Sequence, residues 1–220
     1  YRWNYQRRPN DGTANNLTNI FDLVNAANDA STNYVSRLLN LADIEEWMRV
    51  FAYHRVLGNW DSWGFGVGQN MFLFKQPGLR WKIMPWDIDF VLGLGNGPGD
   101  GLWGGQDPRL NVMFDTPAFR RMLWRAYRDA VNGPMLPENY GPQIEARRAV
   151  LVKNAITDLA APQTINAYID QRRNFLISQL NANDAAQFAI TSNGGRDFSS
   201  TRQTTTLAGT VPFTVATIEV

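Results

Sequence analysis

The 220-residue chain contains no cysteine and a single histidine, His54. Without cysteine there is no disulfide, no thiolate metal site and no thiol nucleophile. With one histidine, multi-histidine metal centres are excluded, and a Ser-His-Asp triad would have to be built on His54. That residue lies in an apolar helical stretch, which reads as a packed imidazole. Lysine is scarce as well, present only as Lys75, Lys82 and Lys153. The balance of 21 basic and 20 acidic side chains gives a formal charge of +1. Nucleic-acid binding needs a clustered basic excess, so no nucleic-acid partner is expected. No run of 18 apolar residues is available to span a membrane.

What is present suffices for a packed core: 44% of residues are hydrophobic and 19% charged. Residues 1–16 are polar, with a turn signal at Asn10-Asp11-Gly12. Helices are expected over Asn19–Asn28 and Thr32–Leu39. The clearest runs from Asp43 to Leu57, where Ile44, Trp47, Met48 and Phe51 recur at helical spacing. Asp43 followed three residues later by Glu46 has the form of a capping box. Strand-like runs at 70–74 and 80–84 flank Lys75-Gln76-Pro77-Gly78-Leu79, which reads as a hairpin turn. A glycine-rich loop, 93–105, lacks the pattern of a phosphate-binding loop and reads as flexible. Asp115 or Thr116 caps a helix that turns Phe119, Met122, Leu123 and Ala126 inward. Further helices are expected over 137–159 and 164–180, their arginine pairs solvated or ion-paired. Beyond Ala182 the composition turns Thr-, Ser- and Gly-rich, with β-branched alternation through Phe213, Val215 and Thr217.

The fold class is thus α+β, mostly helical with a central β-hairpin. The expected domains are 1–183 and a segment 184–220 that links to and begins a β-sandwich-like domain. The ends at Tyr1 and Val220 read as cut from something longer, so further domains are expected upstream and downstream.

The chemistry concentrates in residues 59–90. Asp61 lies in a Gly- and Trp-rich loop, Asn70 opens the hairpin, and Asp87 follows its second strand. Enzymes of the protein-kinase kind need parts in this order. A loop Asp orients the hydroxyl nucleophile, a later Asn holds one Mg²⁺, and an Asp beyond holds Mg²⁺ against the phosphates. Oxygen donors suit that ion. Asp87 and Asp89, two apart at a strand end, would share a face and repel unless a cation or an arginine joins them. Trp60, Trp63, Trp81 and Trp86 read as packing residues ahead of sugar platforms.

The run N-W-D-S…Q-N-M-F-L-F…R-W-K-I-M-P-W-D-I-D-F resembles the CotH kinase family, the spore-coat-protein-H-like atypical protein kinases, over roughly residues 1–182. The resemblance implies a diverged kinase fold that moves phosphate from ATP, with Mg²⁺ or Mn²⁺, to protein hydroxyls. It implies a bacterial protein that is secreted or at the cell surface. It assigns Asp61 as the loop aspartate, Asn70 and Asp87 as metal ligands, and Asp89 as the second acid of the signature. No lysine precedes Lys75 to anchor the nucleotide. The nucleotide-covering lobe is therefore expected upstream of Tyr1, with Arg2, Arg7 or Arg8 as the lesser possibility, and the chain alone is expected to bind ATP poorly. Two other readings stand beside this one. One is a glycoside hydrolase pairing Asp61 with Asp87 or Asp89. The other is a non-catalytic, secreted Ca²⁺-binding scaffold or adhesion module.

Overall fold

A computed structural model describes residues 16–66, 68–185 and 187–219. The turn signal at 10–12 and the arginines at 2, 7 and 8 lie outside the described residues. Among the described residues there are seven α-helices, α1 (Thr18–Ala27), α2 (Tyr34–Leu41), α3 (Ile44–Leu57), α4 (Pro108–Asp115), α5 (Pro117–Val131), α6 (Pro137–Lys153) and α7 (Pro162–Asn183), and a hairpin, β1 (Met71–Phe74) and β2 (Lys82–Pro85), that packs on α3. A second, minimal pair, β3 (Ala189–Ile190) and β4 (Gly209–Thr210), follows α7. The fold is α+β and mostly helical.

Helix α3 is the central element. Its periodic face, Ile44, Trp47, Met48 and Phe51, is buried against α5, which contributes Phe119, Leu123, Tyr127 and Ala130. Phe51 meets Trp47, Trp63 and Phe114 edge-on at centroid distances of 6.4, 5.4 and 5.6 Å, the geometry that places ring edges on ring faces. Asp43 caps α3 by accepting from the Glu46 amide. The capping box is only half made. Glu46 turns away from Asp43 and accepts the amide of Ile83 in β2 at 3.2 Å. Its pKa is raised, chiefly by burial.

That exchange docks the hairpin on α3. The Asp43 amide donates to Trp81 O at 2.9 Å, and Trp81 donates to Leu41 O at 2.8 Å. The indole of Trp47 also donates to Trp81 O, at 3.0 Å. The strands pair antiparallel, with Phe72 opposite Met84 and Leu73 opposite Ile83. Period-2 alternation then turns Ile83 into the core and leaves Phe72, Phe74 and Met84 exposed on the other face.

Two expectations about arginine and glycine are corrected by the structure. Arg172 of α7 is 1% exposed and is bonded only to carbonyls. Its guanidinium donates to Arg55 O at 2.8 and 3.1 Å, Pro98 O at 3.0 Å and Asp100 O at 2.6 Å. Arg55, also buried, donates to Gly64 O at 3.3 Å, Gly101 O at 3.4 Å and Gly104 O, and lies 3.6 Å over the Phe65 ring. The glycine-rich segment is therefore laced to α3 through its backbone and is no free loop. Small residues let the chain come close enough for its carbonyls to solvate two buried cations. Burial lowers the pKa of Arg55 to about 10.

Three helix expectations also shift. Helix α4 is unforeseen: at eight residues it is too short to show a period, and Asp107 with Pro108 starts it. Thr116 occupies the N-cap of α5, but its hydroxyl bonds back to Val112 O at 2.8 Å. Helix α6 stops at Lys153 and fully buries no side chain, packing only the half-buried Tyr140 and Ile144 against the core.

Phe213, Val215 and Thr217 form no strand; among the described residues of the tail only β3 and β4 are extended pairs. Instead Phe213 stacks on Trp124 of α5, centroids 5.1 Å apart and planes 6° from parallel. Arg121 collects the carbonyls of Val211, Pro212 and Val215 at 3.2, 2.7 and 3.0 Å. Asp184 accepts the Phe213 amide at 2.7 Å. Backbone groups satisfied by side chains need no ladder partner. Phe213→Ala should therefore lower the stability of the helical body by about 3 kcal/mol, as loss of a buried ring generally does. Urea unfolding followed by tryptophan fluorescence measures it.

Candidate active site

Gly58 ends α3 in the left-handed conformation, φ 73°. A side chain there would strike the Tyr168 hydroxyl and Asn96 O. From that turn the chain runs into Asn59-Trp60-Asp61-Ser62. Asn59 and Ser62 are fully buried, and the Ser62 hydroxyl donates to Asn59 O at 2.7 Å. Arg55 holds the far side of this loop at Gly64. Asp61 is thereby presented on a short, braced turn.

The structure brings Asp61 and Asn70 together. Asn70 Nδ2 donates to Asp61 Oδ2 at 2.9 Å and to Asp61 O at 2.8 Å. Gln69 Nε2 donates to the other carboxylate oxygen, Oδ1. Trp63 N donates to Gln69 O at 3.0 Å, closing the loop from 63 to 69. With its amide nitrogen committed to Asp61, the side-chain oxygen of Asn70 receives no donor among the described residues.

Asn70 also continues the hairpin, because its carbonyl accepts the amide of Trp86 at 2.9 Å. This bond sets the residue before β1 beside the Pro85-Trp86-Asp87 corner. Asp87 and Asp89 are both exposed. The sequence reading placed them on a strand end sharing a face. The structure differs: β2 stops at Pro85, and Asp87 takes a left-handed backbone, φ 53°. Strand alternation therefore does not apply to the pair. Asn70 at φ 58° and Leu92 at φ 56° are left-handed too. Such angles are uncommon outside glycine, most of all for a bulky residue like leucine, and they persist only where surrounding contacts enforce them. Here Leu92 N is held by Leu57 O at 2.9 Å and Asn96 N by Gly58 O at 3.0 Å, tying the segment after the corner to the end of α3.

The tryptophans divide. Trp63 packs in the core cluster as expected, but Trp60 and Trp86 are exposed, Trp86 by 62%. Trp86 meets Phe72 edge-on at 5.7 Å, and Trp60 meets Phe90 at the same distance. The carboxylates thus stand within an exposed apolar surface that includes Met84, Ile88 and Phe90. An open, apolar depression of about 320 Å³ adjoins the corner between α3 and Pro85 and Ile88. The aspartates do not line it.

His54 is buried, its Nδ1 lying 3.3 Å from Asn59 Nδ2. Burial, with Arg55 beside it, lowers its pKa to about 4, so it packs as a neutral imidazole at physiological pH. The unfolded chain binds this proton below about pH 6.5 and the folded one only below about 4. Stability is thus expected to fall as pH drops through that window, by up to ~1.4 kcal/mol per pH unit from this group. Denaturation of the wild type and His54→Leu across pH 4–7 checks it: the variant should show the shallower slope.

Among the described residues no three acidic or histidine side chains converge into a cation cage. The donors available are the Asn70 amide oxygen and single carboxylates. That set suits Mg²⁺, which is commonly held by one or two carboxylates with substrate phosphates and water completing its shell. It suits an all-protein Ca²⁺ site poorly, since Ca²⁺ takes six to eight oxygens.

The profile of the family described as CotH kinase protein matches residues 2–186. The chain belongs to the CotH kinase family. No match to a curated protein was found.

Proposed function

We propose that residues 59–90 form the hydroxyl-orienting and metal-binding half of an ATP-dependent phosphotransferase acting on protein hydroxyls. The observation that carries this reading is the Asp61–Asn70 pair, joined by a 2.9 Å side-chain hydrogen bond and set beside Asp87 by the Asn70–Trp86 backbone bond. Asp61 accepts the proton of the substrate hydroxyl. The hydroxyl oxygen forms its bond to the γ-phosphorus as the bond to the ADP oxygen breaks. Asn70, through its amide oxygen, and Asp87 would hold Mg²⁺ or Mn²⁺, with Asp89 as the further carboxylate. The bound metal neutralises phosphate charge. The exposed apolar hairpin face supports a nucleotide-covering lobe, contributed from upstream, closing over this surface. A secreted or surface location in a bacterium belongs to the same proposal and rests on family resemblance alone.

Metal titration tests the ligand set. Mn²⁺ added to the ¹⁵N-labelled chain should selectively broaden the side-chain amide of Asn70 and the backbone amides near Asp87. Asp87→Ala should remove that broadening. Broadening spread evenly over surface carboxylates would contradict the assignment.

A further inference from the structure

We propose that Gln69 is a positioning residue for Asp61. The inference rests on the phosphotransferase reading and adds a residue that neither the kinase order of parts nor the P-W-D-I-D signature includes. A carboxylate that must meet a hydroxyl has to be held against rotation about its side-chain bonds. Asp61 has one partner on each oxygen: Asn70 Nδ2 at 2.9 Å on Oδ2 and Gln69 Nε2 on Oδ1. Asn70 alone fixes one oxygen and leaves the carboxylate plane free to swing about it. The second donor, arriving on the opposite oxygen, sets the plane.

Gln69 is itself anchored. Its carbonyl accepts Trp63 N at 3.0 Å, and Trp63 is wedged edge-on between Trp47 and Phe51 of the core at 5.5 and 5.4 Å. The side chain therefore reaches Asp61 from a backbone held by the core. Asp61, Gln69 and Asn70 form one unit in which adjacent residues supply both amides: the Asn70 oxygen would hold the metal of the proposed reading, and Gln69 serves orientation only. Amides suit this role because they donate without charge and do not compete with a cation for the carboxylate.

The test uses the full-length protein, a protein-hydroxyl phosphotransfer assay and three substitutions at one position. Gln69→Ala and Gln69→Glu remove the donor and should lower kcat by about 10- to 100-fold, the loss that outer partners of functional groups commonly carry. KM for ATP should be unchanged, because nothing that touches nucleotide is altered. Gln69→His restores an N–H at similar reach and should recover most of kcat. Melting temperatures should match the wild type, since Trp63 bonds to the backbone of Gln69. A readout without turnover accompanies these. In the ¹⁵N-labelled chain the Gln69 side-chain amide should resonate away from free glutamine and move to the free position in Asp61→Ala. Unchanged kcat in Gln69→Ala, or a Gln69 amide indifferent to Asp61→Ala, overturns the proposal. The wild type and Asp61→Asn are measured alongside: a wild type without phosphotransfer sinks the phosphotransferase reading, and an Asp61→Asn of full activity sinks the role of Asp61, whatever Gln69 does.

Discussion

Asp61→Asn is expected to cut phosphotransfer by about 10²- to 10⁴-fold, the range over which a positioned acid or base generally contributes. The substitution is close to isosteric. It keeps an oxygen that can accept from Asn70 while removing the charge that draws the hydroxyl proton. Because Asp61 is not assigned to the metal, Mg²⁺-dependent nucleotide affinity should remain near wild type. The effect therefore falls on kcat, and single-turnover kinetics of the full-length protein separate it from binding. A matching loss of nucleotide affinity would instead make Asp61 a ligand and require a different base.

Arg172→Ala should be the most damaging single substitution for the fold, costing about 3–5 kcal/mol. Removing the guanidinium takes the donor from the part-buried carbonyls of Pro98 and Asp100, leaves Arg55 O with only the Gly58 amide at 3.3 Å, and opens a cavity beneath α3. Each buried polar group deprived of its partner costs roughly 1–3 kcal/mol, and the cavity adds to that. The cation also lies at the C-terminal end of α3, where the helix dipole favours positive charge. Arg172→Met fills the space without the hydrogen bonds and should cost less than Arg172→Ala. Chemical denaturation of the three proteins ranks them. In hydrogen exchange, amides of residues 97–104 should lose protection in both variants before the hairpin does.

The elements legible in the sequence were those whose cause is local. Helix α3 announced itself through an apolar period and an aspartate cap. The hairpin did so through Pro77-Gly78 between two strand-like runs, with Gly78 left-handed as such a turn requires. The contact of Asp61 with Asn70 could be sought in the sequence because the kinase order of parts names both residues. What the sequence did not reveal depends on long-range pairing. Nothing near Arg172 says that its partners are carbonyls about 70 and 117 residues away. Nothing near Phe213 points to Trp124, so its β-branched neighbours read as strand. Gln69 escaped notice because a glutamine carries no signature; only closure of the 63–69 loop brings it to Asp61. The left-handed turn at Asp87 broke the alternation from which Asp87 and Asp89 were read as neighbours on one face.

The central claim is that Asp87 holds a divalent cation used to bind and transfer phosphate. Calorimetric titration of a non-hydrolysable ATP analogue into the full-length protein, with and without Mg²⁺ or Mn²⁺, tests it most directly. The account predicts binding that requires the metal and is abolished by Asp87→Ala, with a cooperative melt retained because that side chain is exposed and only the left-handed backbone at φ 53° disfavours alanine there. Nucleotide binding that is indifferent to the metal, or that survives Asp87→Ala, would contradict it.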